Sequence, residues 1–309
     1  MKQPKFISQI YSILIVMVFI LPVETLFAQN PPFESMKKRR FFTVLTASLN
    51  NGATIRNTLE SVKKQDFRDV EHLVIDGGSS DDTVSILKKY MGGYNLSWIS
   101  ENDKGIADAL NKAVTESCGD YLLVIQADDR LVDDGVLEKV FPLLRDEGCD
   151  IHSFPVILDH PELGKSLRRP IPVLWWNRFK FIFPHQGTFV HRRVFRRIGG
   201  FKENFSIAMD YDFFYRAILA GCTVKFHREP PVTLMGGSGV GTRLDFLKRR
   251  LREESLVQEM NERNPLWRMG QIVFKKLYHP YKMWLLPRLK PTRKNRLPFE
   301  PSSKLKQEQ

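Results

Sequence analysis

The 309-residue sequence predicts an α/β protein with a mostly parallel central sheet flanked by helices. Apolar runs of strand length alternate with stretches of helical spacing, and this βαβ order is typical of parallel sheets. A polar loop follows each predicted strand, at the edge where open α/β sheets bind their ligands. With 42% hydrophobic residues, the chain also has enough apolar side chains for a large buried core.

The first half of the chain predicts four strands separated by three helices. The strands cover residues 41–45, 71–75, 96–100 and 121–125. The helices, whose apolar residues recur every three or four positions, cover residues 53–64, 84–90 and 106–114.

After residue 150 the pattern changes, and the predicted elements become shorter and more widely spaced. A strand over residues 152–158 is followed by a short basic helix, a helix that opens at Ala208, a late strand and a charged helix. These last four elements cover residues 192–198, 208–219, 224–226 and 242–262.

Two adjacent carboxylates follow the buried fourth strand, in the segment Gln126-Ala127-Asp128-Asp129. Like charges held together at a strand end repel each other, and a cation relieves that repulsion. Mg²⁺ in proteins is commonly held by one or two carboxylates together with substrate phosphates. The segment therefore indicates a metal site, and the alternative is that both acids only stabilise the next turn.

The net charge of +12 is concentrated at the C-terminal end of the chain. Residues 265–309 contain eleven Lys or Arg and two Glu, a net charge of +9, interleaved with large apolar side chains. The rest of the chain is close to neutral, which argues against nucleic acid as a partner. A basic amphipathic segment of this kind is typical of contact with an anionic membrane surface, whereas a packed helix with a solvated basic end is the alternative.

The first 35 residues form an apolar leader with three possible interpretations. They are a cleaved signal peptide, a membrane anchor, or an upstream extension of the reading frame with Met36 as the true start. Basic residues at positions 37–40 favour a cytoplasmic position for the chain beyond the leader. Three scattered cysteines without a CxxC spacing suit free thiols in a reducing compartment. We therefore expect a cytoplasmic protein at the inner face of the cytoplasmic membrane.

Five motifs, in this order, resemble those of the inverting family 2 glycosyltransferases, which have the GT-A (Rossmann-like) fold and serve bacterial polysaccharide biosynthesis. The resemblance extends from about Phe41 to Gly241. Its motifs are the DGGSSDDT turn at 76–83, the ENDKGIADALNK segment at 101–112, QADD at 126–129, HQGTF at 185–189 and MDYD at 209–212.

The resemblance implies a group of side chains that bind the nucleotide-diphosphate sugar donor. Thr46 and Asn50 would line the base pocket, and Asp76 would contact the base. Lys104 would neutralise phosphate, and Gln126 would bond to the ribose. Asp108 and Asn111 would face the nucleotide from their helix.

The resemblance also implies a metal and a general base. Asp128 and Asp129 would hold Mg²⁺ or Mn²⁺ although Gln126 replaces the usual first acid of the motif. Asp210 would take the proton of the acceptor hydroxyl, with Asp212 as the second candidate. The Glu that usually precedes the first of these acids is replaced by Met209. His185 would lie near the acceptor or the diphosphate.

We therefore expect a catalytic domain over residues 36–241, with a nucleotide-binding half at 36–150 and an acceptor half at 151–241. Residues 242–309 would form a basic, helical, amphipathic tail. The expected activity is metal-dependent, inverting transfer of a sugar to a hydroxyl of a polysaccharide or lipid-linked glycan. The alternative is a non-catalytic module of the same fold that binds a nucleotide sugar or a membrane. The glycine-rich stretch at 235–242 lacks the lysine of a P-loop.

Overall fold

The structure, a computed structural model, describes residues 38–160, 164–236 and 246–285. The leader at 1–35, the glycine-rich stretch from 237 to 242 and the basic end of the tail after residue 285 lie outside the described residues. The elements fall in the order strand, helix, strand over the first half, as the sequence predicts.

The helices of the described part of the chain follow the predicted periodicity closely. In chain order they are α1 (Ile55–Lys63), α2 (Thr83–Tyr90), α3 (Ile106–Glu116), α4 (Val136–Glu147), α5 (Arg192–Ile198), α6 (Met209–Leu219), α7 (Leu247–Asn261) and α8 (Pro265–Leu285). Helix α4 is an addition to the sequence-based elements.

The strands within the described ranges form two sheets. In chain order they are β1 (Arg40–Ser48), β2 (Val70–Asp76), β3 (Leu96–Ser100), β4 (Gly119–Val124), β5 (Arg130–Leu131), β6 (Ile151–Ser153), β7 (Val156–His160), β8 (Gly164–Arg168), β9 (Thr188–His191), β10 (Val224–Phe226) and β11 (Thr233–Gly236).

The large sheet has seven strands in the order β10-β6-β9-β4-β1-β2-β3. Its central strands β4, β1, β2 and β3 run parallel, and β9 runs antiparallel to both of its neighbours. Strand β1 is paired on both sides, and its residues from Phe42 to Ser48 are buried. The prediction of a mostly parallel sheet between helices is therefore confirmed.

The single strand predicted over residues 152–158 is wrong. The chain leaves the large sheet after β6 and enters a second sheet of four strands, ordered β5-β11-β7-β8. The change falls at Phe154-Pro155, where proline has no N–H for a sheet ladder. The backbone instead bonds across the junction, because the Phe154 N–H donates to Gly187 O and the Pro155 carbonyl accepts from Val232 N–H.

Helix α7 packs on α6 and contributes to the core. Leu251 and Val257 are buried on its inner face, and Val257 belongs to the same apolar cluster as the interior of the large sheet. Helix α8 follows it and turns few residues inward. Among the described residues, none of the helices is long and apolar enough to cross a membrane.

Candidate active site

A pocket of about 580 Å³ opens at the carboxyl ends of β1 and β4. Its volume is in the range of sites that bind small molecules and cofactors. The end of β1, the loops after the central strands and the start of α3 form one part of its lining: Ala47, Ser48, Leu49, Asn51, Thr54, Asp103, Gly105, Ile106, Ala109, Gln126, Ala127, Asp128 and Asp129. The later half of the chain supplies the remainder: His185, Gln186, Ser206, Ile207, Met209, Asp210, Met235 and Gly236.

The carboxylate of Asp129 is buried beneath this pocket and holds two loops together. One of its oxygens accepts the N–H of Gly236 at 2.9 Å, and the other accepts the N–H of Gln126 at 3.2 Å. Burial, with the nearby charge of Asp128, raises the pKa of Asp129 to about 7. The main role visible for Asp129 is therefore to shape the turn that presents Asp128.

Asp128 lines the pocket beside Gln126, and the end of β11 passes close to it. A Cβ atom at Gly236 would lie 2.9 Å from Asp128 Oδ2, so glycine is what permits this approach. A carboxylate with a side-chain amide next to it supplies the oxygen ligands that Mg²⁺ and related hard cations take. The residues present therefore fit the predicted divalent cation.

Asp210 and His185, the two residues that the motifs assign to catalysis, line the same pocket. Asp210 Oδ2 lies 4.0 Å from His185 Nδ1, and the side chain of Asp210 is 23% exposed. Burial raises the pKa of Asp210 to about 7, and burial also lowers the pKa of His185 to about 4. At neutral pH the imidazole is uncharged, and the carboxylate is poised between its two protonation states.

Asp212 lies outside the pocket lining, and its side chain is fully buried. Its carboxylate is paired with Lys202 at 3.1 Å and Arg216 at 2.7 Å, and it accepts a third bond from Asn261. Such a carboxylate has no room for an acceptor hydroxyl. We therefore reassign Asp212 from the predicted second base to a residue that anchors α6.

The predicted base-binding residues lie at the ends of β1 and β2 and in the loop after β1, and none of them lines the pocket. Thr46 is buried and bonds to His72, and Asp76 accepts bonds from Ser79 and Ser100. Asn50, whose φ of 53° is in the left-handed region, accepts the N–H of Ser80 and so joins two neighbouring loops. The neighbours of Asn50 that do line the pocket include Ser48, Leu49 and Asn51.

The three residues predicted from the helical motif also make local bonds. Lys104 is exposed, with its Nζ 4.0 Å from Glu203, and Asp108 pairs with Lys112. Asn111 links α3 to the chain after α5. Its side chain donates to Phe201 O and accepts from Phe201 N–H, both at 2.8 Å. None of the three lines the pocket.

The pocket thus gathers five of the twelve predicted site residues: Gln126, Asp128, Asp129, His185 and Asp210. Sequence reasoning missed the wall formed by Ser206 and Ile207 and the end of β11. The only signal for that wall was its position just before the MDYD motif. The contribution of β11 had no local signal, because it depends on pairing in the second sheet.

The sequence pattern of Glycosyl transferase family 2 matches residues 43–205, more than half of the chain. The chain therefore belongs to glycosyl transferase family 2, which confirms the resemblance of its motifs. An uncharacterized glycosyltransferase of Mycobacterium tuberculosis is 33% identical over 181 residues, covering 57% of this chain and 68% of the relative.

Solved structures share the fold at low sequence identity. S. aureus TarS 1-349 in complex with UDP-GlcNAc aligns with a TM-score of 0.60 at 17% identity, over 81% of this chain and 76% of that one. The mannosyltransferase PcManGT from Pyrobaculum calidifontis, in complex with GDP-Man and Mn²⁺, gives 0.58 at 18%, over 84% and 77%. The alignment with a longer TarS structure covers 39% of that chain. These likenesses confirm the predicted GT-A fold.

The contrast between Asp210 and Asp212 has a measurable consequence for stability. Asp212→Asn removes the buried charge that pairs with Lys202 and Arg216, and the loss of a hydrogen bond to a charged group costs about 1.5–3 kcal/mol of unfolding free energy. Asp210→Asn should cost little above pH 7. The folded-state pKa of Asp210 is raised to about 7, so its ionised form disfavours folding there, and the neutral amide removes that penalty.

Urea unfolding of both variants above neutral pH measures the difference. Asp134→Asn, at an exposed loop acid, is the control. An equal loss of stability in Asp210→Asn and Asp212→Asn would contradict the reassignment of Asp212.

Proposed function

We propose that this chain transfers a sugar from a nucleotide-diphosphate sugar to a hydroxyl of a polysaccharide or lipid-linked glycan, with inversion and with a divalent cation. The observation that carries the proposal is that Asp128 and Asp210 line one pocket at the carboxyl ends of the sheet strands. The first acid suits a cation and a diphosphate, and the second suits the removal of a proton. The strand-end loops are then the donor side, and the later half of the chain is the acceptor side.

The donor class is supported by relatives of the same fold. TarS has been solved with UDP-GlcNAc, and PcManGT with GDP-Man and Mn²⁺. In this chain Asp128 would hold Mg²⁺ or Mn²⁺, with Asp129 fixing the turn and Gln126 available to the ribose. When bound, the cation neutralises the negative charge that builds on the leaving diphosphate.

Asp210 is the general base of the proposed mechanism. The acceptor oxygen attacks the anomeric carbon from the face opposite the diphosphate while its proton passes to the Asp210 carboxylate. The bond from the anomeric carbon to the diphosphate oxygen breaks, and its electron pair leaves with the nucleoside diphosphate. A carboxylate whose pKa is about 7 suits this task at neutral pH, because it combines sufficient ionisation with sufficient basicity.

His185 supports the base from within the same pocket. Its imidazole is neutral at pH 7, since burial lowers its pKa to about 4, so it adds no positive charge to depress the pKa of Asp210. With Nδ1 only 4.0 Å from the carboxylate, it is placed to bond to the acceptor hydroxyl and hold it toward Asp210.

The membrane is the proposed site of the acceptor, and α8 is the contact surface. Its outward face carries large apolar side chains three or four residues apart, each more than half exposed: Leu266, Met269, Val273, Leu277, Tyr281 and Trp284. No acidic residue occurs between 265 and 285, whereas Arg268, Lys275, Lys276 and Lys282 do. An apolar stripe flanked by cations suits a helix lying in an anionic lipid interface.

The proposed contact of α8 with the membrane agrees with the compartment that we expect from the sequence. None of Cys118, Cys149 and Cys222 forms a disulfide in the structure, which suits a reducing environment. We therefore place the reaction at the inner face of the cytoplasmic membrane.

Asp210→Asn tests the base directly. Transfer should fall by about 100-fold or more, the usual contribution of a general base, while binding of the nucleotide donor is retained. In the unchanged protein kcat/KM should rise with pH through about 7, because only the ionised carboxylate accepts the proton.

The measurement is a radiolabelled-sugar transfer assay across pH, with Asp134→Asn as the control. Retained transfer in Asp210→Asn would refute the base assignment. Donor binding without transfer in the unchanged protein would support a binding module instead.

Asp128→Asn tests the cation site. Affinity for UDP or GDP in the presence of Mn²⁺ should fall roughly tenfold or more, because even changes to partners of metal ligands cost that much. Isothermal titration of each nucleotide, with Mn²⁺ and with EDTA, measures the effect. If EDTA leaves the affinity of the unchanged protein as it was, the metal dependence is wrong.

Leu277→Glu tests the membrane surface. This side chain is 71% exposed at the centre of the apolar stripe, so a charge there should weaken binding to vesicles that contain phosphatidylglycerol. Met91→Glu, at a methionine 62% exposed at the end of α2, is the matched control and should bind normally. Vesicle flotation measures both. Equal flotation of the two variants, or self-association of the unchanged protein through α8, would contradict the proposal.

A further inference from the structure

The helix that carries Asp210 has Ala208 at its N-cap position, and the side chain of alanine has no oxygen to serve as a cap. In its first turn the N–H of Tyr211 is accepted by Asp210 Oδ1 at 2.7 Å. The backbone that leads into the helix is bound by a carboxylate from α7. Glu253 Oε2 accepts the N–H groups of Ser206 at 3.1 Å, Ile207 at 2.7 Å and Ala208 at 3.0 Å.

The carboxylate of Glu253 is suited to this position by burial and by charge. The residue is 7% exposed, and an anion at a helix N-terminus is stabilised by the helix dipole. Its second oxygen accepts from Arg249 Nε at 3.0 Å, one turn earlier on α7. Arg249 also donates to Ser206 Oγ at 2.5 Å, so two side chains of one helix hold the same loop.

The loop held in this way is part of the pocket. Ser206 and Ile207 line it, and Asp210 follows on the first turn of α6. Loss of the three hydrogen bonds would release both the pocket wall and the start of the helix that presents the carboxylate.

Helix α7 also bonds to the residues that come after Asp210. Gln258 Nε2 donates to Tyr211 Oη at 3.1 Å, and Asn261 Nδ2 donates to Asp212 Oδ1 at 2.8 Å. The chain is therefore held on both sides of Asp210 by one helix. All of α7 lies beyond residue 205, where the match to the family ends.

We propose that Glu253 is a positioning residue for the transfer reaction, which acts by holding residues 206–208 and so orienting Asp210. This inference rests on the proposed function, because it takes Asp210 to be the base. Glu253 does not touch the reacting atoms in this scheme. Its effect should fall on the chemical step, since a displacement of about 1 Å at a catalytic group can cost about 100-fold in rate.

The test compares Glu253→Ala, Glu253→Gln and Glu259→Ala in the full chain. The last variant removes an exposed acid of the same helix, which pairs with Lys275, and serves as the matched control. At saturating donor and acceptor, kcat should fall about 10- to 100-fold in Glu253→Ala. The affinity for UDP with Mn²⁺ should be unchanged, because the strand-end loops hold the nucleotide.

Glu253→Gln supplies the second readout. It keeps an oxygen that accepts the N–H groups but loses the charge, so its kcat should lie between those of Glu253→Ala and the unchanged protein. If Glu253→Ala does not fold, the test is whether kcat of Glu253→Gln is lower than that of the unchanged protein. A kcat equal to that of Glu259→Ala in every Glu253 variant would overturn the inference, as would a parallel loss of kcat and UDP affinity that Gln does not restore.

Asp210→Asn separates this inference from the proposed function. If Asp210→Asn loses transfer while the Glu253 variants keep it, only the positioning role fails. If Asp210→Asn keeps transfer, the base assignment itself fails, whatever Glu253 does.

Discussion

The pocket depends on one buried carboxylate that joins the two sheets. Asp129 lies between β4 of the large sheet and β5 of the small sheet. Its carboxylate accepts the N–H of Gln126, which follows β4, and the N–H of Gly236 at the end of β11 in the small sheet. A buried carboxylate is costly unless it is hydrogen-bonded, so these N–H donors and Asp129 constrain each other. Asp128, one residue earlier, takes its place at the pocket as a consequence of that constraint.

Two acids two residues apart on α6 have opposite environments. This difference suits Asp210 to the proposed role of general base and Asp212 to a structural role. Asp212 is neutralised by Lys202 and Arg216 and ties the helix to its surroundings. Burial dominates the environment of Asp210 instead, so its pKa rises to about 7. Environments that differ in this way are how one scaffold assigns distinct roles to carboxylates of the same type.

The motifs predicted which segments meet, and they predicted the individual contacts less well. Asp128, His185 and Asp210 reach the pocket because each follows a strand or begins a helix at the same edge of the sheet. Asp76 and Asn111 belong to equally clear motifs, yet their side chains bond to nearby backbone and hydroxyl groups. A motif places a residue near the site, but its rotamer and hydrogen-bond partners depend on neighbours distant in sequence.

The sequence by itself determined the parallel core, because apolar runs and helical spacing are local patterns that need no partner to be recognised. It also determined the family, through motifs in a fixed order. Only the tertiary structure decided that the chain passes from one sheet to the other at Pro155. This change of sheet depends on Gly187 and Val232 as backbone hydrogen-bond partners. The tertiary structure alone decided that Glu253 binds the backbone leading into the helix of Asp210, because an acid in a charged helix has no periodic signal for the distant backbone it binds.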